Sequence, residues 1–228
     1  MTGPALKGRG VIFDMDGVLL LSARAHWKAW RAAAAARGVE LTRQQFLSFN
    51  GFTNADICAR LFPGETDAAF VAKVAAEKEL AFRAAIEGAV PLAPGCLELL
   101  AALRDAGARL ALGTSAPAGN ADLVLDEGGL RGFFDAAVHA DMVARGKPAP
   151  DIFLLASDLL RVPPDRCLVV EDAPSGIRAA RAAGMRALGI TTNHRAEELI
   201  AEGAVATFAG VHELSADRVC SAFAGLSP

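Results

Sequence analysis

Asp14-Met15-Asp16-Gly17 puts two carboxylates two residues apart, directly after the apolar run Val11-Ile12-Phe13. Three other polar groups stand in comparable places. Thr114-Ser115 follows Arg109-Leu110-Ala111-Leu112-Gly113, Glu171-Asp172 closes Cys167-Leu168-Val169-Val170, and Lys147 sits in a Gly-Lys-Pro-Ala-Pro turn. Clustered carboxylates repel one another, and a hard divalent cation relieves the repulsion. Donors that are all oxygen favour Mg²⁺. A carboxylate beside such a cation can attack phosphorus and form an aspartyl phosphate. A second carboxylate two residues on can protonate the leaving oxygen and later deprotonate water. Lys147 and the Thr114-Ser115 hydroxyls would neutralise charge on the phosphoryl oxygens. Gly17 lets the backbone turn sharply away after the acids.

Each piece alone has an ordinary explanation. Asp-x-Asp-Gly also opens calcium loops, but the fifth and twelfth places here hold Val18 and Ala25, which cannot ligate through their side chains. A Thr-Ser pair after a strand commonly caps a helix, and a single lysine is commonly a solvated charge. The joint occurrence, each group at a strand end and in this order, carries the signal.

The elements that must position these groups alternate. Short apolar runs are separated by longer amphipathic ones, the pattern of βα units around a parallel sheet. Strands are expected at residues 10–14, 109–113, 136–138, 167–171 and 186–190, with a short sixth at 206–208. Helices are expected over 96–106, 121–128, 152–160 and 177–183, the last stopped by Gly184. In an open parallel sheet, ligands bind outside the carboxyl ends of the strands, where all four groups fall.

Residues 15–108 separate the first expected strand from the second, far more than a βαβ crossover needs. Most of this stretch reads as helix, over 25–37, 42–48, 54–61 and 67–86. The expected organisation is therefore α/β: a doubly wound, Rossmann-like parallel sheet core of residues 1–20 and 90–228, with an α-helical cap domain, 21–89, inserted after the first strand. The return segment Gly88 to Gly95 is rich in Pro and Gly and suits a hinge. Such a lid would close over a bound phosphate and exclude water.

The four motifs, Asp14-Met15-Asp16-Gly17-Val18-Leu19, Gly113-Thr114-Ser115, Gly146-Lys147-Pro148-Ala149-Pro150-Asp151 and Val170-Glu171-Asp172-Ala173-Pro174-Ser175-Gly176, resemble those of the haloacid dehalogenase-like hydrolase superfamily. The likeness is strongest to its beta-phosphoglucomutase-like phosphatase branch and covers nearly the whole chain. The resemblance implies that Asp14 is the nucleophile and Asp16 the general acid/base. It implies that Thr114 and Ser115 hold phosphate and that Lys147 pairs with nucleophile and phosphate. Mg²⁺ would be ligated by Asp172, Asp14 and the Asp16 backbone carbonyl, with Glu171 as an inner- or second-sphere acid.

Departures within the superfamily narrow the activity. True dehalogenases lack the second Asp, so Asp16 argues against them. Phosphonoacetaldehyde hydrolases use a cap lysine whose place falls at about Asn54, which offers no amine nucleophile. Beta-phosphoglucomutases place basic residues in the cap loop to hold the second phosphate, and those places hold Asn50 and Asn54 here. Loss of two cations weakens the grip on a second phosphate, which favours hydrolysis of a monophosphate over mutase chemistry. Phe52, Arg60 and His26 complete the cap residues expected near substrate. Trp27 and Trp30, at helical spacing, are expected in the cap core. Leu21 replaces the family's usual Asp at the core–cap junction, and with Leu20 would extend an apolar strip.

Composition excludes other classes. The 228 residues are 53% hydrophobic and 21% charged with net charge −3, which fits a globular protein with an ample core. Sparse aromatics, no Tyr and no long basic run argue against a nucleic-acid partner. No apolar stretch reaches the ~18 residues of a membrane span, and no targeting segment is visible. Four scattered cysteines without metal-ligand spacing fit a reduced, cytoplasmic location. The expected partner is a small phosphorylated metabolite, acted on by a monomer or weak homodimer. A non-catalytic binding protein on the same fold is the alternative of a different class, and the retention of Asp14, Asp16, Lys147 and Asp172 weighs against it.

Overall fold

The computed structural model describes residues 5–49, 53–65 and 67–223. Its contacts divide the chain into two compact units, Met1–Leu21 with Pro91–Pro228, and Ser22–Val90. Each junction lies one residue later than the sequence pattern suggests.

The larger unit is built on six parallel strands: β1 (Gly10–Phe13), β2 (Arg109–Gly113), β3 (Ala136–Val138), β4 (Cys167–Glu171), β5 (Arg186–Ile190) and β6 (Ala206–Phe208). Their order is β3-β2-β1-β4-β5-β6. β1 and β4 are buried along their whole length, so their apolar runs are continuous rather than alternating, as a sheet covered on both faces requires. The order reverses direction between β1 and β4, which opens a crevice at their carboxyl ends. Register brings Phe13 level with Val170 on one side and Leu112 on the other. The residues after Phe13 therefore emerge beside Glu171 and Gly113.

Helices Cys96–Asp105, Ala118–Glu127, Asp151–Leu160, Pro174–Ala182, Ala196–Ala201 and Ala216–Ala222 flank the sheet. The apolar stripes of Asp151–Leu160, Pro174–Ala182 and Ala196–Ala201, with residues of the strands, share a core in which Ile12, Val169, Phe153, Leu160 and Ile177 are fully buried. After β1 the chain folds back tightly. Gly17 donates its N–H to the Leu20 carbonyl at 2.7 Å with φ at +80°, the left-handed region that glycine tolerates. Leu20 then bridges Leu92, and the Leu21 N–H donates to the Pro91 carbonyl. The two chain crossings are thus tied to each other within this unit. Leu20 is buried but Leu21 is 44% exposed, so the expected apolar strip stops at Leu20.

The smaller unit is helical. We label its elements α1 (Ala23–Ala35), α2 (Arg43–Leu47), α3 (Asn54–Leu61) and α4 (Ala68–Ile86). Thr42 and Thr53 start α2 and α3 with reciprocal capping boxes to Gln45 and Asp56. α1 buries Ala25, Ala29, Trp30, Ala33 and Ala34, and packs on α4. Trp30 is in the core of this unit, with Trp27 packed against it. The buried stripe of α4 is Val74, Lys78, Phe82 and Ile86, so a lysine occupies a position whose i, i+4 neighbours are apolar.

Candidate active site

Asp14, the first residue beyond β1, donates its N–H to the Val170 carbonyl at 2.9 Å, which locks it alongside β4. Its side chain is 9% exposed. Lys147 donates from Nζ to Asp14 Oδ1 at 2.6 Å and to Glu171 Oε1 at 2.7 Å. The stem of Lys147 reaches this point across Phe153, whose ring centroid lies 4.9 Å from Nζ. Glu171 Oε2 accepts the Ala173 N–H at 2.7 Å, so both of its oxygens are engaged. The fold of that side chain depends on Gly176, where a Cβ would fall 1.8 Å from Glu171 Oε1.

Asp172 is 5% exposed, and the loop after β5 holds it. Asn193 Nδ2 donates to Asp172 Oδ2 at 2.6 Å, and His194 Nδ1 lies 3.1 Å from the Asp172 carbonyl oxygen. Thr192 Oγ1 donates to the Gly17 carbonyl at 2.6 Å. Gly17 is squeezed between these groups: a Cβ there would lie 2.1 Å from Asp172 Oδ2 and 2.5 Å from Asn193 Nδ2. This glycine is therefore required twice, for its backbone angle and for the approach of Asp172.

Three buried acids thus share one buried ammonium. Burial raises the Asp14 pKa, Lys147 opposes the rise, Glu171 adds to it, and the result is about 7. Burial also raises Asp172 well above the carboxylate range, with Glu171 and Asp14 adding to it. For Lys147 burial works against the charge, but Asp14 and Glu171 outweigh it and hold the ammonium more firmly than in water. The cluster is short of positive charge. Asp14, Glu171 and Asp172 each offer a carboxylate oxygen within 4.8 Å of the others, an all-oxygen donor set that fits a hard divalent cation such as Mg²⁺.

The remaining candidates divide. Asp16 is partly buried in the turn after Asp14, close enough for its charge to raise the Asp14 pKa. Thr114 is 1% exposed at the end of β2, and its Oγ1 accepts the Ala116 N–H at 3.0 Å. Ser115 beside it is exposed. In the helical unit His26 stacks on Phe82, with centroids 4.2 Å apart. Asn54 donates to Glu79 Oε1 at 3.2 Å, and Arg60 is exposed on the last turn of α3. Asn50 and Phe52 lie outside the described residues.

Sequence reasoning missed two groups. Thr192-Asn193-His194 looks like any polar loop. Its signal is topological, because a loop after β5 must lie beside the residue that follows β4. Lys78, 4% exposed, pairs with Glu79 Oε1 at 2.9 Å, the same oxygen that Asn54 contacts. Its signal was the Val74, Lys78, Phe82, Ile86 spacing.

This geometry has relatives. The fructose-1-phosphate phosphatase YqaB of Escherichia coli is 37% identical over 186 residues, covering 79% of this chain and 95% of that protein. The beta-phosphoglucomutase of Bacillus subtilis is 31% identical, covering 80% and 83%. Among solved structures, a HAD hydrolase of family IA, variant 3, from Entamoeba histolytica matches with a TM-score of 0.87 at 28% identity, over 94% of this chain and 99% of that one. The profile of the haloacid dehalogenase-like hydrolases matches residues 9–184. An acid pair after β1, a lysine bridging to the acids of β4 and a sheet wound in this order have one family explanation: the chain belongs to the haloacid dehalogenase-like hydrolases.

Proposed function

We propose that this protein is a Mg²⁺-dependent phosphatase that hydrolyses a small phosphate monoester, of the sugar phosphate class, through an aspartyl phosphate. The observation that carries the reading is Asp14, buried at the switch point and held by Lys147 against the acids of β4. Mg²⁺ on Asp14 and Asp172 would supply charge neutralisation for the phosphoryl oxygens. Asp14 attacks phosphorus, a new P–O bond forms to its carboxylate, and the bond to the substrate oxygen breaks. Asp16 delivers a proton to that departing oxygen. It then takes a proton from water, whose oxygen attacks the same phosphorus and releases Asp14 and inorganic phosphate. Lys147 favours the ionised form of Asp14 and faces the phosphoryl oxygens with Thr114 and Ser115, while Glu171 holds Lys147 in place.

The name of the Escherichia coli relative supports a phosphorylated carbohydrate as substrate. In the cap, Asn50, Phe52, Asn54, Arg60 and His26 are the residues assigned to recognise the rest of that molecule. A mutase reading uses the same chemistry twice and has the Bacillus subtilis relative in its favour. Asn50 and Asn54 weigh against it, since neither offers a charge to a second phosphate. Among the described residues no helix is long and apolar enough to cross a membrane. The reading includes a cytoplasmic location and a monomer or weak homodimer.

The test is phosphate release from p-nitrophenyl phosphate and a panel of sugar phosphates, with Mg²⁺ or EDTA, beside Asp14→Asn. Release that needs Mg²⁺ and disappears in the variant supports hydrolysis. Isomerisation of glucose 1-phosphate that needs a bisphosphate activator, without net phosphate release, would replace it with the mutase. Inactivity in both assays would leave a binding protein.

A further inference from the structure

We propose that Asn193 is a positioning residue that sets the orientation of the Asp172 carboxylate before a cation arrives. The inference rests on the metal reading above. Asp172 follows β4 in a cluster where Asp14 and Glu171 repel it, and an unrestrained carboxylate would rotate away from them. The Asn193 amide donates to Oδ2 at 2.6 Å, with Thr192 Oγ1 3.5 Å from the same oxygen. The hydroxyl proton of Thr192 goes to the Gly17 carbonyl, so the Asn193 amide is the donor here, and it brings no formal charge that would compete with a cation for the acids as a second lysine would.

The hold is built from both sides. Thr192 fastens the loop to the turn that follows the nucleophile through the Gly17 carbonyl, and His194 sits 3.1 Å from the Asp172 carbonyl oxygen. Three consecutive residues thus join the turn after β1 to the end of β4. The absence of a side chain at Gly17 is what lets Asp172 and Asn193 meet against it. Partners that orient a ligand in this way commonly govern metal affinity by about 10–100-fold.

The experiment is calorimetric titration of Mg²⁺ into metal-free protein, comparing the parent with Asn193→Ala and Asn193→Leu, together with melting temperatures in EDTA. Asn193 is exposed although its bond to Asp172 is partly buried, and Leu keeps its size without the donor. The expected result is a Mg²⁺ dissociation constant raised about 10–100-fold in both variants, with the melting temperature in EDTA unchanged. Parent-like affinity in both variants would overturn the inference while leaving the metal reading intact. Affinity lost only in step with a lower melting temperature in EDTA would show a merely structural role and overturn it too. A parent that takes up no Mg²⁺ would remove the metal reading and this inference together.

Discussion

Asp14→Asn, in metal-free protein, tests whether the acid cluster is held in an unfavourable charge state until a cation binds. The Asp14 pKa rises from 3.8 to about 7, with burial the largest cause. Between those values the folded protein binds more protons than the unfolded chain, so stability falls as pH rises from about 4 to about 7. Below that window both states are protonated and the loss vanishes; above it the loss is complete and flat. About three pKa units correspond to roughly 4 kcal/mol. Asparagine resembles the protonated acid, so the variant escapes this loss. In EDTA at pH 8 it is expected to be more stable than the parent by about 3–4 kcal/mol, near 5–15 °C in melting temperature for a chain of this size. The gain shrinks toward zero near pH 4. Mg²⁺ raises the melting temperature of the parent and not of the variant, which has lost a ligand. Scanning calorimetry from pH 4 to 9, with EDTA or Mg²⁺, reads all of this. A variant no more stable than the parent at pH 8, or a gain independent of pH, would refute the electrostatic reasoning.

Lys147→Met removes the cation that opposes the rise of the Asp14 pKa. Phosphate release is expected to drop by about 10²–10³, and the ascending limb of the pH–rate profile to move to higher pH. Gly176→Ala favours the helix by propensity, yet its methyl would collide with Glu171 Oε1. Denaturant titration is expected to show a net loss of about 1–3 kcal/mol, and phosphate release a lower kcat. Glu79→Ala strands the Lys78 ammonium inside the helical unit at a cost of about 3–5 kcal/mol, whereas Lys78→Met costs less because it removes the charge and leaves an apolar side chain on the stripe of Val74, Phe82 and Ile86. Hydrogen exchange in α1 and α4 distinguishes the two.

The strands, the order in which the acids meet them and the insertion after β1 were all readable along the chain. Apolar runs and helical periodicity are local signals, and Asp14, Thr114 and Asp172 are each adjacent in the chain to the strand that presents them. Gly17 was legible as a turn, but not as the space into which Asp172 and Asn193 close. Whatever depends on neighbours in the sheet came only with the folded arrangement. Lys147 stands 133 residues from Asp14, and the sequence names it without saying which acids it joins. Asn193 is significant only because β5 lies beside β4. Leu21 is exposed and Lys78 buried, against their hydropathy, because burial follows from where a backbone position points and not from what the residue prefers. The charge balance of three acids on one ammonium, and hence the fit for a cation, is likewise a property of distances and burial, which no spacing along the chain contains.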